Sequence, residues 1–545
     1  MELIRITKKD MASGMAFLGV ASLLGVVAFA TPNDIPVGEM AYQKLWLGRL
    51  AMVFAACCLL SLCLDRKQHL SFSSIVTWVL IVLGGMEAVW GLRQVYGLSA
   101  SNHSLYALTG SFYNPGPYSG YLAMIVPLCL NEWLDVKKKI NRTWGEQVKY
   151  YVAFGVLLLI LCVLPAGMSR SAWISAAISG TWVYGMHEEW GRRLKTIGQQ
   201  HKKKALFICM AGIIMLIVLG YALFQLKAAS ASGRLFMWKI SCIAIADSPL
   251  TGHGAESFAS AYGTAQEEYF SKGSYSETEE LVAGSPEYAF NEYLQVAVEY
   301  GLPVLLGVLL VIGFCLWKGV KEKRIGVCGG VIAFLVFAFS SYPMQIPGFA
   351  ISFFFLLAAC VIGRSRVMLL LFTSLIALAG IYYWKNNEYE ACKKWTSAKM
   401  LYNIGAYSSA KEDYMELYPE LKNRGAFLFE YGHCLHKLKE YENSTRILTE
   451  AMEYNCDPMI LNVIGKNYQA MKMYEKAEEY LIRSTHRLPG RIYPYYLLAK
   501  LYAEPEYKEP EKLRQAVDIV LTKEPKVQST AVREMREEVK NLLNK

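Results

Sequence analysis

The chain has 545 residues, a formal net charge of +10, and is 54% hydrophobic with 19% charged residues. That balance excludes an ordinary soluble globule, and the positive charge sits in clusters beside apolar runs rather than forming a nucleic-acid footprint. The 13 cysteines contain no CxxC pair, and the "HCLH" stretch at 433–436 has no second ligand pair, so no metal site and no cofactor is expected.

A hydrocarbon core about 30 Å thick takes roughly 20 apolar residues to cross as a helix. Lipid offers no partner for backbone N–H and C=O groups, so each crossing must be helical. Eleven runs meet this description, near 12–31, 45–64, 71–97, 118–134, 150–168, 171–186, 206–226, 301–317, 326–342, 349–363 and 366–384. The first lacks a small-residue cleavage site before Pro32 and is expected to be a retained span.

Basic clusters fall at Arg5/Lys8/Lys9, Arg66/Lys67, Lys137–Lys139 with Arg142, Arg192–Lys204, Lys318–Arg324 and Arg364/Arg366. They mark one face, which the positive-inside rule makes cytoplasmic. The other face receives the 99–117 loop, an acidic loop at about 227–300 with Glu267, Glu268, Glu277, Glu279, Glu280 and Glu287, and everything after Trp384. The expected fold is all-α: a polytopic helical membrane protein of about 11 spans over 1–384, then a helical tail at 385–545. For a bacterial chain this means an inner-membrane protein whose C-terminal domain is periplasmic. Nine cysteines lie in or beside spans, where a thiol behaves as a small hydrophobe; Cys242 lies in the large loop, and Cys392, Cys434 and Cys456 in the tail, with no disulfide assignable.

Ionisable groups at membrane depth are costly, which makes those near the outer face functional candidates. They are Arg93 at the end of the third span, Arg170 between the fifth and sixth, and Arg234 early in the large loop, with Glu87 lying deeper. Arg49 and Glu132 sit nearer span ends, where snorkelling explains them. In "LPAGMSRSAWISAAISG" a tight Ser-Arg turn aims a guanidinium at the outer boundary, and its planar fork suits a phosphate group. The alternative for Arg170 is a topological anchor.

The tail repeats. Tyr407, Tyr441, Tyr474 and Tyr507 are spaced 34, 33 and 33 residues apart, and Gly432, Gly465 and Ala499 recur at the same interval. These segments resemble the tetratricopeptide family, in about four units over roughly 395–525. The resemblance implies an α-solenoid whose groove binds a periplasmic protein or peptide. A generic helical bundle is the alternative.

The large loop carries "SGRLFMWKISCIAIADSPLTGHGAESF" and then "YAFNEYLQVAVEYGLPVLLGVLLVIGF". With "TGSFYNPGPYSGYLAMIVPL" and "SRSAW" upstream, the chain resembles the O-antigen ligase/polymerase superfamily. The matching residues are Arg234, Trp238, Pro249, Gly252, Gly254, Phe258, Asn291, Leu294, Glu299 and Gly301. The resemblance implies transfer of an undecaprenyl-diphosphate-linked glycan to an acceptor hydroxyl on lipid A–core, on a protein or on another glycan, without a metal or cofactor.

Arg170, Arg234 and Arg93 are then the candidate diphosphate-binding groups, and Asn291 belongs to the candidate catalytic set. The family's His before the Asn is Phe290 here, which accepts no proton. Glu292 is the first substitute for a base and His253 the second, Glu287 being a further carboxylate; for His253 the alternative is a plain turn residue. Tyr288 and Tyr293 are candidates to stack on a sugar ring. Besides a ligase or protein O-glycosylating enzyme, a repeat-unit polymerase and a non-catalytic scaffold stay open. A transporter is disfavoured, since no matched pair of interrupted helices suggests an inverted repeat.

Overall fold

A computed structural model of the protein describes residues 7–30, 39–64, 71–193, 196, 210, 228–384, 387–525 and 528–542. Every regular element among them is helical. The chain divides into two compact units, one comprising Met1–Leu226, Phe290–Glu292 and Leu306–Tyr389, the other Lys227–Ala289, Tyr293–Leu305 and Glu390–Lys545.

The first unit holds the apolar helices α1 (Lys8–Leu24), α2 (Glu39–Leu64), α3 (Phe72–Val95), α4 (Pro115–Lys137), α5 (Trp144–Val163) and α6 (Arg170–His187). After the large loop come α10 (Glu292–Lys321), α11 (Ile325–Ala338), α12 (Pro347–Val361) and α13 (Arg366–Trp384). Ten of the eleven expected runs are thus helices, and the run at 206–226, residue 210 excepted, lies outside the described residues. Six helices, α1, α2, α3, α5, α10 and α13, are long and apolar enough to cross a membrane by length and composition. The runs expected at 326–342 and 349–363 are shorter than that: α11 has 14 residues and α12 has 15. At about 1.5 Å per residue they rise only about 21–23 Å. Pro343 and Pro347 mark the reason, because each opens a new helical turn and neither can continue the helix before it.

Helix starts follow local chemistry. Thr7 and Asp10 form a reciprocal capping box at α1, and Thr143 and Glu146 repeat it at α5. Spans approach closely where glycine allows it: a Cβ on Gly120 would overlap the Phe337 ring, and one on Gly48 would meet the backbone of Tyr383 and Trp384. The core is aromatic, with Phe54, Phe72, Phe355 and Phe372 in mutual contact and Phe334 stacked on Phe353 at 3.8 Å. On α10 the side chains of Leu306, Leu310, Val311, Phe314 and Trp317 point outward, an apolar surface suited to lipid. Basic residues expected only as topology anchors also bind chain ends. Arg324 donates to the Ala359 and Cys360 carbonyls at 3.1 and 2.7 Å, and Arg366 to the Leu62 carbonyl at 2.7 Å.

The second unit corrects the picture of residues 227–300 as an open loop: they form α7 (Ala228–Asp247), α8 (Phe258–Ser271) and α9 (Glu277–Val282). The tail supplies α14 (Glu388–Asn403), α15 (Tyr407–Leu421), α16 (Gly425–Lys437), α17 (Tyr441–Ala451), α18 (Pro458–Ala470), α19 (Tyr474–Arg487), α20 (Ile492–Tyr502), α21 (Pro510–Thr522) and α22 (Thr530–Leu542). The repeated tyrosines 407, 441 and 474 each open the second helix of a pair. Before each, a left-handed residue turns the chain (Gly405, Lys439 and Lys472), and the next amide closes back onto the preceding helix: Ala406 to Leu401, Glu440 to Leu435, Met473 to Tyr468. Gly432 and Gly465 recur because a Cβ there would meet Leu448 and Leu481 of the partner helix. Cys392, Cys434 and Cys456 are all buried.

The repeats and the loop helices share one core. Phe236, Ile240, Phe258, Tyr262 and Phe270 pack with Cys456 and Leu488. Glu267 on α8 receives Arg483 at 2.7 Å and Arg487 at 2.7 Å, and the Gln266 amide donates to the Arg487 carbonyl at 2.6 Å. Lys523 pairs with Glu280. Arg487 is almost wholly buried, so this pairing is what makes its charge tolerable there.

Candidate functional site

The two glycine-bearing motifs of the large loop turn out to be halves of one lock. Helix α10 breaks at Gly301, whose φ is 82°, and Pro303 follows with no N–H to give. The break frees backbone groups of α10, and the 249–254 turn takes them up. His253 N donates to the Val298 carbonyl at 2.9 Å, Gly254 N to the Glu299 carbonyl at 2.9 Å, and Leu302 N to the Pro249 carbonyl at 2.8 Å. Gly252, at φ 66°, lies so close to Glu299 that a Cβ would overlap its carbonyl. The Glu299 carboxylate accepts from Gln295 Nε2 at 2.6 Å and from the Glu256 and Phe258 amides. Pro249, Gly252, Gly254, Glu299 and Gly301 therefore build the frame.

Asn291 and Glu292 open α10 in the first unit, and both are buried. Glu292 Oε1 accepts the Met344 amide at 2.7 Å, and its Oε2 lies 3.5 Å from Gln345 Nε2. The carboxylate is thus fixed on the turn between α11 and α12, a partner 52 residues away that no local spacing reveals. Phe290 has φ 48°, strained for a bulky side chain, and its ring meets Tyr342 edge-on at 5.0 Å. The position before Asn291 is thereby filled by an aromatic ring.

Residues 164–170 form a tight turn between α5 and α6. Met168 is left-handed at φ 47°, Ser169 occupies the N-cap position without a side-chain cap bond, and Arg170 is the first residue of α6. Trp173 Nε1 donates back to the Leu164 carbonyl at 2.9 Å. Gly167 packs against Ser119, so the "SRSAW" block is seated on the "NPGPYSGY" block of α4. Arg170 is half-buried at this corner.

Arg93 ends α3 as an exposed side chain, favourably placed at a helix C-terminus. Its neighbour Gln94, which sequence inspection passes over, is the buried one. Gln94 Oε1 accepts the Thr109 and Gly110 amides at 2.9 and 2.7 Å, and its Nε2 donates to the Ala100 and Gly110 carbonyls at 3.0 and 3.1 Å. Glu87, fully buried, accepts the Ser111 amide at 3.1 Å, and Ser111 Oγ donates to the Val27 carbonyl at 2.8 Å. A neutral amide and one carboxyl thus hold the 99–117 segment in place.

Arg234 and His253 belong to the second unit. Arg234 lies half-buried on α7, a helix braced by Lys239, which pairs with Glu279 at 2.5 Å and reaches Tyr269 at 2.7 Å. The ammonium of Lys239, together with the Ser276 amide, holds the Glu279 carboxyl down at about 2. His253 is exposed, and its Nε2 meets the Ala244 carbonyl at 2.8 Å. A carbonyl only accepts, so Nε2 carries the proton and Nδ1 is the nitrogen left to act as a base.

Residues 155–309 match the family model described as O-Antigen ligase. The matched stretch contains Arg170, Arg234, His253, Asn291, Glu292 and the whole turn-and-kink frame, and leaves Arg93 outside. No curated protein gives a match to the chain.

Proposed function

We propose that this protein, a member of the O-antigen ligase superfamily, transfers an undecaprenyl-diphosphate-linked glycan to an acceptor hydroxyl at the periplasmic face of the inner membrane. The general class, a membrane glycan ligase or polymerase, rests on the matched domain and its apolar helices. The observation that carries the finer reading is that one matched segment contains two guanidinium groups, Arg170 and Arg234, together with a buried Asn291–Glu292 pair.

The chemistry follows from bond changes. The acceptor oxygen bonds to the anomeric carbon of the glycan as that carbon's bond to the diphosphate oxygen breaks. The hydroxyl proton goes to a base, and undecaprenyl diphosphate leaves with added negative charge. Arg170 and Arg234 are assigned to that leaving group, with Arg93 as an outlying third cation; fixed donors act where charge develops. Glu292 is assigned as the base and His253 as its alternative, with Asn291 orienting the acceptor. The helix pairs after residue 388 are assigned as tetratricopeptide repeats that recruit a periplasmic protein, which fits a polypeptide acceptor or a partner enzyme.

A scaffold that has lost its chemistry is the second reading, and Phe290 is the observation that favours it. Deleting the gene and comparing surface polysaccharide, lipid A–core and glycoproteins side by side tests both. Loss of glycan from one acceptor class is expected and identifies the acceptor. Unchanged glycans in all three would overturn the enzymatic assignment, and loss of chain length alone would mean a polymerase.

A further inference from the structure

The first helices of successive pairs, α16, α18 and α20, present one face in register. His433, Lys466 and Lys500 occupy the same position in each, spaced 33 and 34 residues apart, and Phe429, Asn462 and Tyr496 form the neighbouring column. On α16 three rings lie nearly parallel: Phe429 to His433 at 6.1 Å and His433 to His436 at 6.0 Å. Tyr493 and Tyr496 continue the aromatic surface on α20, 6.1 Å apart.

The charge on this face is one-sided. Lys500 is answered by Glu538 at 2.9 Å, but no ion pair among the described residues involves Lys437 or Lys466. Burial, and then the like charges of Lys437 and Lys500, lower the Lys466 ammonium below its ordinary value. His433 likewise faces Lys437, His436 and Lys466, all cationic or potentially so. Natural faces seldom gather cations around a half-buried lysine without an anion to meet them.

We infer that this face is a docking surface for an acidic glycan, a saccharide chain carrying carboxylate groups. Sugar rings offer apolar C–H faces to Phe429, Tyr493 and the histidine stack. Their acid groups meet Lys437 and Lys466. An acidic peptide would satisfy the cations but leave the aromatic column without a matching flat surface. The inference rests on the glycan-transfer reading and specifies the glycan as anionic.

The test is binding to the full chain in lipid nanodiscs, with three fluorescent probes of equal length: an oligogalacturonate, a neutral maltooligosaccharide and an oligoglutamate. The oligogalacturonate is expected to bind tightest and to weaken as salt rises. Lys466→Glu and the more exposed Lys437→Glu should each weaken it by about tenfold or more. Phe429→Ala should weaken the oligogalacturonate and spare any oligoglutamate binding. Equal binding of the neutral saccharide, tighter binding of the oligoglutamate, no binding at all, or indifference to both lysine variants would each overturn the inference. Binding is read without transfer, so the two proposals separate. Binding lost with transfer intact removes this inference alone; transfer absent with binding intact removes the proposed activity alone.

Discussion

The Gly254 amide donates to the Glu299 carbonyl at 2.9 Å, joining a turn to a helix break 45 residues further on. That bond exists because Gly301 and Pro303 interrupt α10, and because Gly252 has no side chain to hold the turn away. Gly252→Ala adds a Cβ where the Glu299 carbonyl stands and places it at positive φ, so a loss of about 1–3 kcal/mol is expected. Thermal unfolding in detergent should report a lower midpoint, whereas Gly145→Ala, at a site with open space, should not move it.

Gln94 carries four hydrogen bonds to the 99–117 segment. Gln94→Ala strands the Thr109 and Gly110 amides in a buried place, at about 1–3 kcal/mol for each unsatisfied group. Protease cleavage within residues 99–110 should rise sharply. Arg93→Ala, one residue away but exposed, should leave cleavage at the parental level.

Glu267 stands between Arg483 and Arg487. Removing it leaves the buried Arg487 charge without a partner, expected to cost about 3–5 kcal/mol. Glu267→Ala should speed hydrogen exchange in α8 and α19 together. Faster exchange in α8 alone would mean that the helix pairs do not depend on this contact.

Acidification should loosen the helix pairs. Burial, then Lys437, His436 and Lys466, push His433 down to about 4 from an ordinary value near 6.5, and His436 is also lowered. Above about 6.5 both folded and unfolded chains hold a neutral ring, and no stability is lost. Between about 6.5 and 4 the unfolded chain takes up the proton and the folded chain resists, so stability falls with pH through that window and levels off below it. Exchange in peptides from 425–470 should accelerate across it, and His433→Gln should flatten the response.

Hydropathy made the apolar helices legible because lipid forces backbone pairing within each segment. The 34–33 spacing likewise marked where second helices begin, since Tyr407, Tyr441 and Tyr474 each follow a left-handed turn residue. The helices of the large loop were less visible: α9 is six residues long, and α8 mixes Ala, Glu and Tyr without a long apolar run. Within the site, Arg170 stood out because it is a cation between two apolar runs, away from the basic clusters. Gln94 did not, because an uncharged amide gives no electrostatic signal. The Glu292–Met344 bond was illegible for a different reason, being a contact with a backbone amide, whose identity no side chain announces.

The central claim is tested most directly by reconstituting the full chain in proteoliposomes with a radiolabelled undecaprenyl-diphosphate-linked glycan and its acceptor. The expected result is label on the acceptor with matching release of undecaprenyl diphosphate. Arg170→Ala and Arg234→Ala should each slow transfer by roughly tenfold to a hundredfold, since each removes charge-assisted bonds of about 1.5–3 kcal/mol. Glu292→Gln should slow it by about a hundredfold to ten-thousandfold if Glu292 is the base, and His253→Ala if that role is His253's. Transfer at the parental rate by both arginine variants would contradict the site. No transfer by the parent, with transfer restored by Phe290→His, would show a scaffold whose chemistry has been lost.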